Sequence, residues 1–322
     1  MIHRSRRLRL SPVIRELVAE TRIHSSQLVQ PHFVQEIEGI SQIESLPGIS
    51  RMSIEPLLAQ VEKDLKIGLK SILLFGVPDT KTPNGVASKN PSDILPKAIR
   101  ALKKTFGSDL IVMSDICLCA YTDHGHCGLI EDSKIHNHST VESLVEMASI
   151  HAESGVDVVA PSDMMDFRIG AIRHALDQKK FENVAILSYA IKHAGAYYGP
   201  FRDVANSSPQ FGDRSTYQMD PRNINEGLRD ALQDVDQGAD FLMVKPALPN
   251  LDLIVKLRAR TLAPIFAYHV SSEYSSIKAA DAKGWIKGEQ LMMEHLISIK
   301  RSGADAIVTY AAREALMKGW FS

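Results

Sequence analysis

Three cysteines lie within one short segment of the sequence, and the chain has no others. Cys117, Cys119 and Cys127 fall in the stretch SDICLCAYTDHGHCG, which begins at Ser114 directly after an apolar run. Three thiolates supply three of the four ligands of a tetrahedral zinc ion, and an open fourth position distinguishes a catalytic zinc site from a structural one. We therefore predict that these cysteines bind a catalytic zinc ion.

Two other interpretations of the cysteines remain open. His124 or His126 would complete a closed structural zinc site, with Asp115 or Asp123 as hydrogen-bond acceptors around the ligands. Alternatively, the cysteines would be plain reduced thiols without a metal. Their odd number argues against a disulfide framework.

Two lysines follow apolar runs that are typical of buried strands. Lys192 comes after the run from Val184 to Tyr189, and Lys245 ends the run from Phe241 to Val244. A lysine with the ordinary pKa of about 10.4 is a poor nucleophile at neutral pH, whereas burial and a second nearby cation both favour the neutral amine. A neutral amine can attack a ketone and form a Schiff base, which acidifies the adjacent carbon. The pair therefore predicts covalent carbon–carbon chemistry.

A long segment rich in glycine, serine, proline and aromatic residues follows Lys192. It runs from Ala194 to Tyr217 without a clear helical or strand period. A structureless segment of this length inside a compact domain is usually functional, so we expect a lid over the site. Arg202 and Arg214 in this segment suit bidentate binding of a substrate carboxylate.

The elements that must position these side chains alternate between strand and helix. Eight short apolar, β-rich runs are separated by longer helical patterns, which is typical of a parallel α/β architecture. Most are continuously apolar, as expected where both faces of a strand are covered. The predicted strands are Pro31 to Val34, Ser71 to Phe75, Leu110 to Ser114, Val156 to Ala160, Val184 to Tyr189, Phe241 to Val244, Ile265 to His269 and Ala306 to Tyr310.

Eight strands with interleaved helices favour a closed (β/α)8 TIM barrel over residues 26–322. No Gly-x-Gly-x-x-Gly follows any strand, which argues against an open dinucleotide-binding sheet. In such a barrel the active site lies where the strands end, and both lysines and the cysteines fall at such ends. Ser271 and Tyr310, at the ends of the last two strands, would bind a second carboxylate.

The helix boundaries carry recognisable signals. Ser139 with Glu142 resembles a capping box, and Gly155 is expected to end that helix before the strand at Val156. A helix over Leu228 to Val235 ends similarly at Gly238.

A basic cluster opens the chain and leads into an apolar helical face formed by Val13, Ile14, Leu17 and Val18. We expect residues 1–25 to form an extended and helical arm that packs on another subunit of a homo-oligomer. A targeting sequence and a solvated tail are the alternatives. The basic residues are Arg4, Arg6, Arg7 and Arg9.

Composition excludes several classes of function. The net charge of -1 gives no general electrostatic reason to bind nucleic acid. No stretch approaches the roughly 18 consecutive apolar residues of a membrane span, so we expect no membrane partner. Because no secretory apolar segment is present at the N-terminus, we expect the cysteines in a reducing cytoplasm.

Several motifs together resemble the porphobilinogen synthase family, whose members are also called 5-aminolevulinate dehydratases, across nearly the whole chain. The cysteine segment is similar to the family's zinc-dependent metal loop. The other matching segments are Ser188-Tyr-x-x-Lys192, Tyr198-Gly-Pro-Phe-Arg202, Met243-Val-Lys-Pro-Ala-Leu-Pro249, Gly212-Asp-Arg-x-x-Tyr-Gln-Met219, Ala160-Pro-Ser-Asp-Met-Met-Asp166 and Leu46-Pro-Gly-Ile.

The resemblance implies a lyase that condenses two 5-aminolevulinate molecules to porphobilinogen, with loss of two waters, in tetrapyrrole (heme) biosynthesis. Lys245 would hold the first substrate, with Ser271 and Tyr310 on its carboxylate. Lys192 would hold the second substrate. Its carboxylate would be bound by Arg202, Arg214 and Gln218, and zinc would polarise it.

The resemblance also implies an octamer with N-terminal arms, and in some members an allosteric magnesium ion. Asp230, with a shorter carboxylate, stands where a glutamate is expected to bind that magnesium. Ser272 replaces a glycine common in the family beside Ser271, a change we expect to be tolerated.

Two other functions would also account for part of these residues. A class I aldolase also uses a barrel lysine and a Schiff base, but it requires neither zinc nor a second lysine. A catalytically silent zinc-binding scaffold would account only for the arm and the metal loop, and the two lysines and two lid arginines argue against it.

Overall fold

The computed structural model describes residues 4–321, and its strands confirm the predicted alternation. They are β1 (Leu28–Gln35), β2 (Ile40–Gln42), β3 (Ser50–Met52), β4 (Ser71–Val77), β5 (Ile111–Ile116), β6 (Ile130–Glu131), β7 (Lys134–Ile135), β8 (Val158–Pro161), β9 (Ala185–Lys192), β10 (Phe241–Lys245), β11 (Ile265–His269) and β12 (Ala306–Thr309). β1, β4, β5, β8, β9, β10, β11 and β12 are neighbours in that order, and all pair in parallel. β12 pairs back onto β1 through Leu28 and Ile307. The eight strands therefore close into the predicted TIM barrel.

Side chains alternate between the barrel interior and the surrounding helices along each barrel strand. On β4, Leu73 and Phe75 join the interior cluster with Tyr189 and Tyr268, whereas Ile72 and its neighbours of the same parity pack against the helices. Both faces are therefore buried, which explains the continuously apolar runs in the sequence. Each fully buried aliphatic side chain contributes roughly 1.5–3 kcal/mol to this double core.

Most of the helices lie on the outside of the barrel and connect its strands, whereas the short helices of the N-terminal arm and of the segment after Lys192 do not. The helices are α1 (Pro12–Leu17), α2 (Ile54–Lys66), α3 (Ile94–Phe106), α4 (Asn137–Glu153), α5 (Arg168–Gln178), α6 (Gly199–Ala205), α7 (Ile224–Asp236), α8 (Leu251–Arg258), α9 (Ser271–Ala282), α10 (Gly288–Arg301) and α11 (Ala312–Met317). The helix stops predicted at Gly155 and Gly238 are confirmed, since both residues follow a helix with φ of +92° and +100°.

The predicted capping box at Ser139 is wrong in its position. α4 begins at Asn137, so its N-cap is His136 and not Ser139. The His136 ring nitrogen Nδ1 accepts from the Ser139 backbone N–H. An imidazole nitrogen performs the capping role that the sequence pattern assigned to a hydroxyl.

Three further features depart from the sequence-based expectations. β1 is twice as long as predicted, because Pro31 and His32 obscured its apolar pattern. The short hairpins β2–β3 and β6–β7 were not predicted. The segment expected to be structureless contains the helix α6, which is only 7 residues long and so too short to show a period.

The predicted arm contains one short helix with exposed apolar side chains. α1 carries Val13 and Leu17, which are 77% and 82% exposed, and Leu10 just before it is 70% exposed. Residues 1–3 of the arm, and Ser322 at the end of the predicted barrel, lie outside the described residues. In the part of the chain that the structure describes, no helix is long and apolar enough to cross a bilayer.

A buried ionic cluster ties the last helix to the first strand, where the barrel closes. Arg313 donates to both carboxylate oxygens of Asp64 on α2, at 2.6 and 2.8 Å, and His32 of β1 lies 3.4 Å from the same carboxylate. Burial alone would raise the pKa of Asp64, but the hydrogen bonds from Arg313 and His32 outweigh it and lower the pKa to about 2. The stabilisation is therefore present at neutral pH and is lost as the pH falls below about 4 toward 2.

We expect Arg313→Met to lower the free energy of unfolding by about 3 kcal/mol, because it leaves the Asp64 charge buried without its main partner. Urea unfolding at fixed protein concentration measures the change. The matched control is Lys66→Met, which removes an exposed pair with Glu62 at 2.8 Å and should cost less than about 1 kcal/mol. Equal, small losses in both variants would contradict the role assigned to the cluster.

Candidate active site

The two predicted lysines are neighbours on adjacent strands of the barrel. Lys192 ends β9, Lys245 ends β10, and the two are register partners in the parallel ladder. Both are buried, with 5% and 4% of their surface exposed. The fold therefore places two amines side by side at the carboxyl end of the strands, where barrel enzymes carry their active sites.

Aromatic rings surround the Lys245 amine. Its Nζ lies 4.3 Å from the centroid of Tyr268, 5.1 Å from Phe201, 5.2 Å from Tyr189 and 5.4 Å from Tyr198. These rings replace water around the nitrogen. Burial, reinforced by the positive charge of Lys192, lowers the pKa of Lys245 to about 7. A substantial fraction of this lysine is therefore a neutral nucleophile at neutral pH.

Lys192 and Asp115 complete the interior of the site. The Lys192 Nζ donates to the backbone oxygen of Ser162, and it lies 5.6 Å from the Tyr189 centroid. Asp115 interacts electrostatically with both lysines, and burial, opposed mainly by the charge of Lys192, raises its pKa to about 6. Its Oδ1 has no hydrogen-bond partner among the described residues. A carboxyl group that titrates near neutral pH beside two amines is suited to proton transfer.

The three cysteines come together as predicted. Their sulfur atoms all lie within 4.8 Å of one another, and all three side chains are buried and unpaired by disulfides. Hydrogen bonds from Cys117 and Cys119 hold the pKa of Cys127 well below its usual value, whereas the same contacts raise that of Cys117.

This donor set fits a zinc ion. A tetrahedral ion with sulfur ligands at about 2.3 Å requires sulfur atoms about 3.8 Å apart, and the three sulfur atoms lie within 4.8 Å of one another, close enough to be held by one ion. A divalent cation would deprotonate all three thiols, because its charge outweighs their mutual repulsion. Among residues 4–321, this is the one group of three side chains that meets the geometric requirement for a metal.

The two histidines of the loop are bonded elsewhere. His124 Nε2 lies 3.1 Å from the Pro83 oxygen, and its Nδ1 accepts from the His126 N–H. His126 contacts the Tyr217 hydroxyl and the Phe211 oxygen, each at 3.1 Å. Both rings therefore support the loop through other partners, and the metal-ligating group among the described residues contains the three cysteines without them, an arrangement that favours the open, three-cysteine interpretation over a closed structural site.

The polar residues predicted for the second substrate have unsatisfied buried atoms. Arg202 Nε, Arg214 Nε and both amide atoms of Gln218 lack hydrogen-bond partners among the described residues. Native proteins rarely leave such atoms unpaired, so they indicate groups that bind a ligand. Arg214 is held in place by donating to the backbone oxygens of Gly125 and Ser207, at 2.9 and 2.7 Å.

Cavities lie on both sides of the lid segment. Arg202 and Arg214 line one of about 420 Å³ together with Arg222, whereas Gln218 lines a separate cavity of about 840 Å³ beside α7. The structure therefore brings the two arginines together on one cavity and places Gln218 on another.

Ser271 and Tyr310 lie on the Lys245 side of the site, as predicted. The Tyr310 hydroxyl is 3.2 Å from that of Tyr268, whose ring is the nearest to Lys245. Ser271 Oγ accepts from the backbone N–H of Phe201 in α6, at 3.1 Å. Ser271 therefore contacts both the floor of the site and the lid. The neighbouring Ser272 lies within the helix α9, whose backbone needs no glycine.

The lid is closed over the site. The Phe201 ring packs on Phe75 and Phe33, with centroids 5.1 and 5.8 Å apart. The space left between this ring and the cysteines is only about 10 Å³, roughly the size of one water. Substrate entry therefore requires α6 to move.

Asp230 lies on α7 outside this group. Its carboxylate accepts from Arg229 at 3.3 Å, and it lines the cavity of about 840 Å³ that Gln218 also faces. No group of three metal-ligating side chains includes it among residues 4–321. The magnesium site at Asp230 stays a prediction.

Sequence reasoning missed the aromatic surroundings of Lys245 and the position of Asp115 beside the lysines. Asp115 was interpreted only as a hydrogen-bond acceptor near the metal. The available signal was position, since Asp115, Tyr189 and Tyr268 all lie at or near the carboxyl ends of barrel strands.

A parallel barrel with two adjacent buried lysines at its catalytic end defines a Schiff-base-forming barrel enzyme, here with a three-cysteine cluster beside the amines. The chain matches the family model described as "Delta-aminolevulinic acid dehydratase" over residues 2–318. It therefore belongs to this family.

Known proteins of the same family are similar along their full length. The dehydratase of Halalkalibacterium halodurans is 49% identical over 312 residues, 97% of this chain and 95% of the relative. That of Bacillus subtilis is 46% identical over 314 residues, 97% of each. The crystal structure of the Toxoplasma gondii ME49 enzyme, in complex with the reaction product porphobilinogen, superposes with a TM-score of 0.96 at 43% identity and covers 99% of this chain and 92% of that one.

We expect Lys192→Met to raise the pKa of Lys245 by roughly one unit, because the neighbouring positive charge is removed. Competitive labelling with acetic anhydride, followed by peptide mass spectrometry, gives the pH of half-maximal reactivity. The midpoint should lie near pH 7 in the wild type and move upward in Lys192→Met. Lys192→Arg keeps the charge and should keep the midpoint. An unchanged midpoint in Lys192→Met would contradict electrostatic coupling of the two amines.

Proposed function

We propose that this chain condenses two molecules of 5-aminolevulinate to porphobilinogen with loss of two waters, as a lyase of tetrapyrrole (heme) biosynthesis. The observation that carries the proposal is the pair of register-matched, buried lysines beside three clustered thiols under a closed lid. A class I aldolase requires one lysine and leaves the second amine and the cysteines without a role.

Lys245 would bind the first substrate. Its amine, with a pKa of about 7, attacks the ketone carbon, and the carbonyl oxygen leaves as water when the Schiff base forms. The hydroxyl groups of Ser271 and Tyr310 lie on this side of the site and would hold the carboxylate. Burial keeps both hydroxyls out of water, which strengthens such hydrogen bonds.

Lys192 would bind the second substrate in the same way, and the second carbonyl oxygen leaves as the second water. Arg202 and Arg214 have unpaired Nε atoms suited to its carboxylate. As the resemblance implies, Gln218 would also contact this molecule. Carbon–carbon and carbon–nitrogen bond formation between the two substrates then returns both lysines to free amines, so two waters account for both lost oxygens.

Asp115 and the lid would control protons and water. With a pKa of about 6, the Asp115 carboxylate can accept a proton from a carbon adjacent to a Schiff base and return it to a lysine nitrogen as that amine leaves the substrate. Phe201 closes the site from solvent, which protects the Schiff bases from hydrolysis.

Cys117, Cys119 and Cys127 would hold a catalytic zinc ion with its fourth position open to substrate. When bound, the ion would supply a Lewis acid that polarises the second substrate. The compact sulfur cluster and the engagement of both loop histidines elsewhere support this assignment. Reduced thiols are required, so we place the protein in the cytoplasm.

We expect zinc removal to abolish pyrrole formation while Schiff-base formation at Lys245 persists, because Lys245 depends on its aromatic surroundings for its reactivity. A colorimetric pyrrole assay and cyanoborohydride trapping, each with and without chelator, measure the two. Cys119→Ser should reproduce the chelated state. Loss of trapping in parallel with turnover would contradict this separation of roles, and no pyrrole from folded, zinc-loaded protein would refute the function.

We further propose that the N-terminal arm packs on a neighbouring subunit of a homo-octamer. The support is the exposed apolar surface of Leu10, Val13 and Leu17, which is 70%, 77% and 82% exposed in the isolated chain. Exposed leucines and valines in such a short segment indicate a surface that is covered by protein.

Val13→Ser with Leu17→Ser should shift the protein to smaller assemblies, because the arm loses the apolar area that it buries on a partner. Light scattering coupled to size exclusion gives the mass. As a control, Val255→Ser removes a 53% exposed valine on α8 and should leave the mass unchanged. An unaltered octamer in the double arm variant, or wild-type protein that is monomeric, would refute the assembly role.

A further inference from the structure

The lid helix α6 ends in carbonyl groups that are capped from two distant segments. Arg51 donates from Nη2 to the Asp203 oxygen at 2.8 Å, and Lys81 donates from Nζ to the oxygens of Ala205, at 3.3 Å, and Asn206. The last carbonyls of a helix lack partners within it and carry a partial negative charge, so cations stabilise this end.

Both cations are used on the lid. Neither Arg51 nor Lys81 forms an ion pair with a carboxylate among the described residues, and these backbone oxygens are their hydrogen-bond acceptors there. Burying part of a cation without a carboxylate partner costs free energy unless hydrogen bonds replace the lost water. The two side chains are therefore not ordinary surface charges.

Two separate elements deliver these residues to the lid. Arg51 lies on β3 of a hairpin outside the barrel ring, which pairs with β1 where Arg51 stands opposite Phe33. Lys81 lies in the loop after β4. That loop is joined to the metal loop by hydrogen bonds from Thr82 N–H to the Tyr121 oxygen, at 3.1 Å, and from Asp123 N–H to the Thr82 oxygen, at 3.2 Å.

The capped helix carries the residues that close the site. Phe201 lies 5.1 Å from the Lys245 amine, and Arg202 lies on the neighbouring position with its unpaired Nε. Holding the end of α6 therefore fixes where Phe201 and Arg202 stand relative to the lysines.

We propose that Arg51 and Lys81 form a latch that holds the lid helix closed, and that they act as positioning residues for Phe201 and Arg202. The consequence for catalysis rests on the proposed function. The latch itself does not, because its contacts join protein atoms only.

The latch sets the fraction of molecules with a closed lid before substrate binds. Losing one charge-assisted cap should raise the ratio of open to closed α6 roughly three- to tenfold. A saturating substrate would restore closure through its contact with Arg202. The KM for 5-aminolevulinate should therefore rise by about three- to tenfold while kcat stays within about twofold.

The test compares Arg51→Gln and Lys81→Met with one matched variant at the opposite end of the barrel. Lys300 also donates to two backbone oxygens, those of Ala304 at 2.9 Å and Asp305 at 3.4 Å, so Lys300→Met removes the same kind of contact away from the lid. Lys81→Arg keeps the cation and should restore the wild-type behaviour. Hydrogen exchange followed by mass spectrometry reports on residues 199–207 without substrate.

We expect faster hydrogen exchange in residues 199–207 of the Arg51→Gln and Lys81→Met proteins, together with the rise in KM. We expect neither change in the Lys300→Met and Lys81→Arg proteins. Unchanged exchange in this segment, or acceleration spread evenly over the barrel, would overturn it. A fall in kcat with unchanged KM would also overturn it. If the wild type forms no porphobilinogen, the proposed function fails, while the exchange experiment still decides whether the latch exists.

Discussion

The removal of two neighbouring amines from water is the constraint on which the rest of the site depends. The parallel register of β9 and β10 places Lys192 opposite Lys245. Burying two ammonium groups together is unfavourable, so one of them is driven toward the neutral form at physiological pH. The closed barrel supplies this burial, because its interior is filled with large side chains such as Tyr189 and Tyr268 and leaves little room for water.

The other parts of the site follow from this constraint. A buried neutral amine is useful only if substrate can reach it and water cannot, which requires a movable lid. The lid in turn contacts the floor through Ser271, the metal loop through Arg214, and the barrel rim through Arg51 and Lys81. The three cysteines lie in the loop after β5, which is separated from β9 in the ring only by β8, so substrate held by an amine would also face the sulfur cluster.

The sequence predicted the features that depend on a repeating pattern or on a short segment of the chain. Apolar runs identified eight strands, and the positions of Lys192, Lys245 and the cysteines after such runs were enough to place them at one end of a barrel. Contacts between distant segments were not predictable. Nothing in the sequence around Arg51 indicates that it caps a helix about 150 residues later, and the seven residues of α6 are too few for a periodic signal. The approach of Asp115 to the two lysines was not predictable either, because the cysteines beside it in the sequence suggested a metal, whereas the lysines approach it only in the fold.

The central claim is that both amines react with substrate within one site. The most direct measurement is peptide mapping by mass spectrometry after borohydride reduction of the protein in saturating 5-aminolevulinate. The account predicts adducts on Lys192 and Lys245, and on Lys245 alone in the Lys192→Arg variant. Adducts on other lysines, or on neither of these two in active protein, would contradict it.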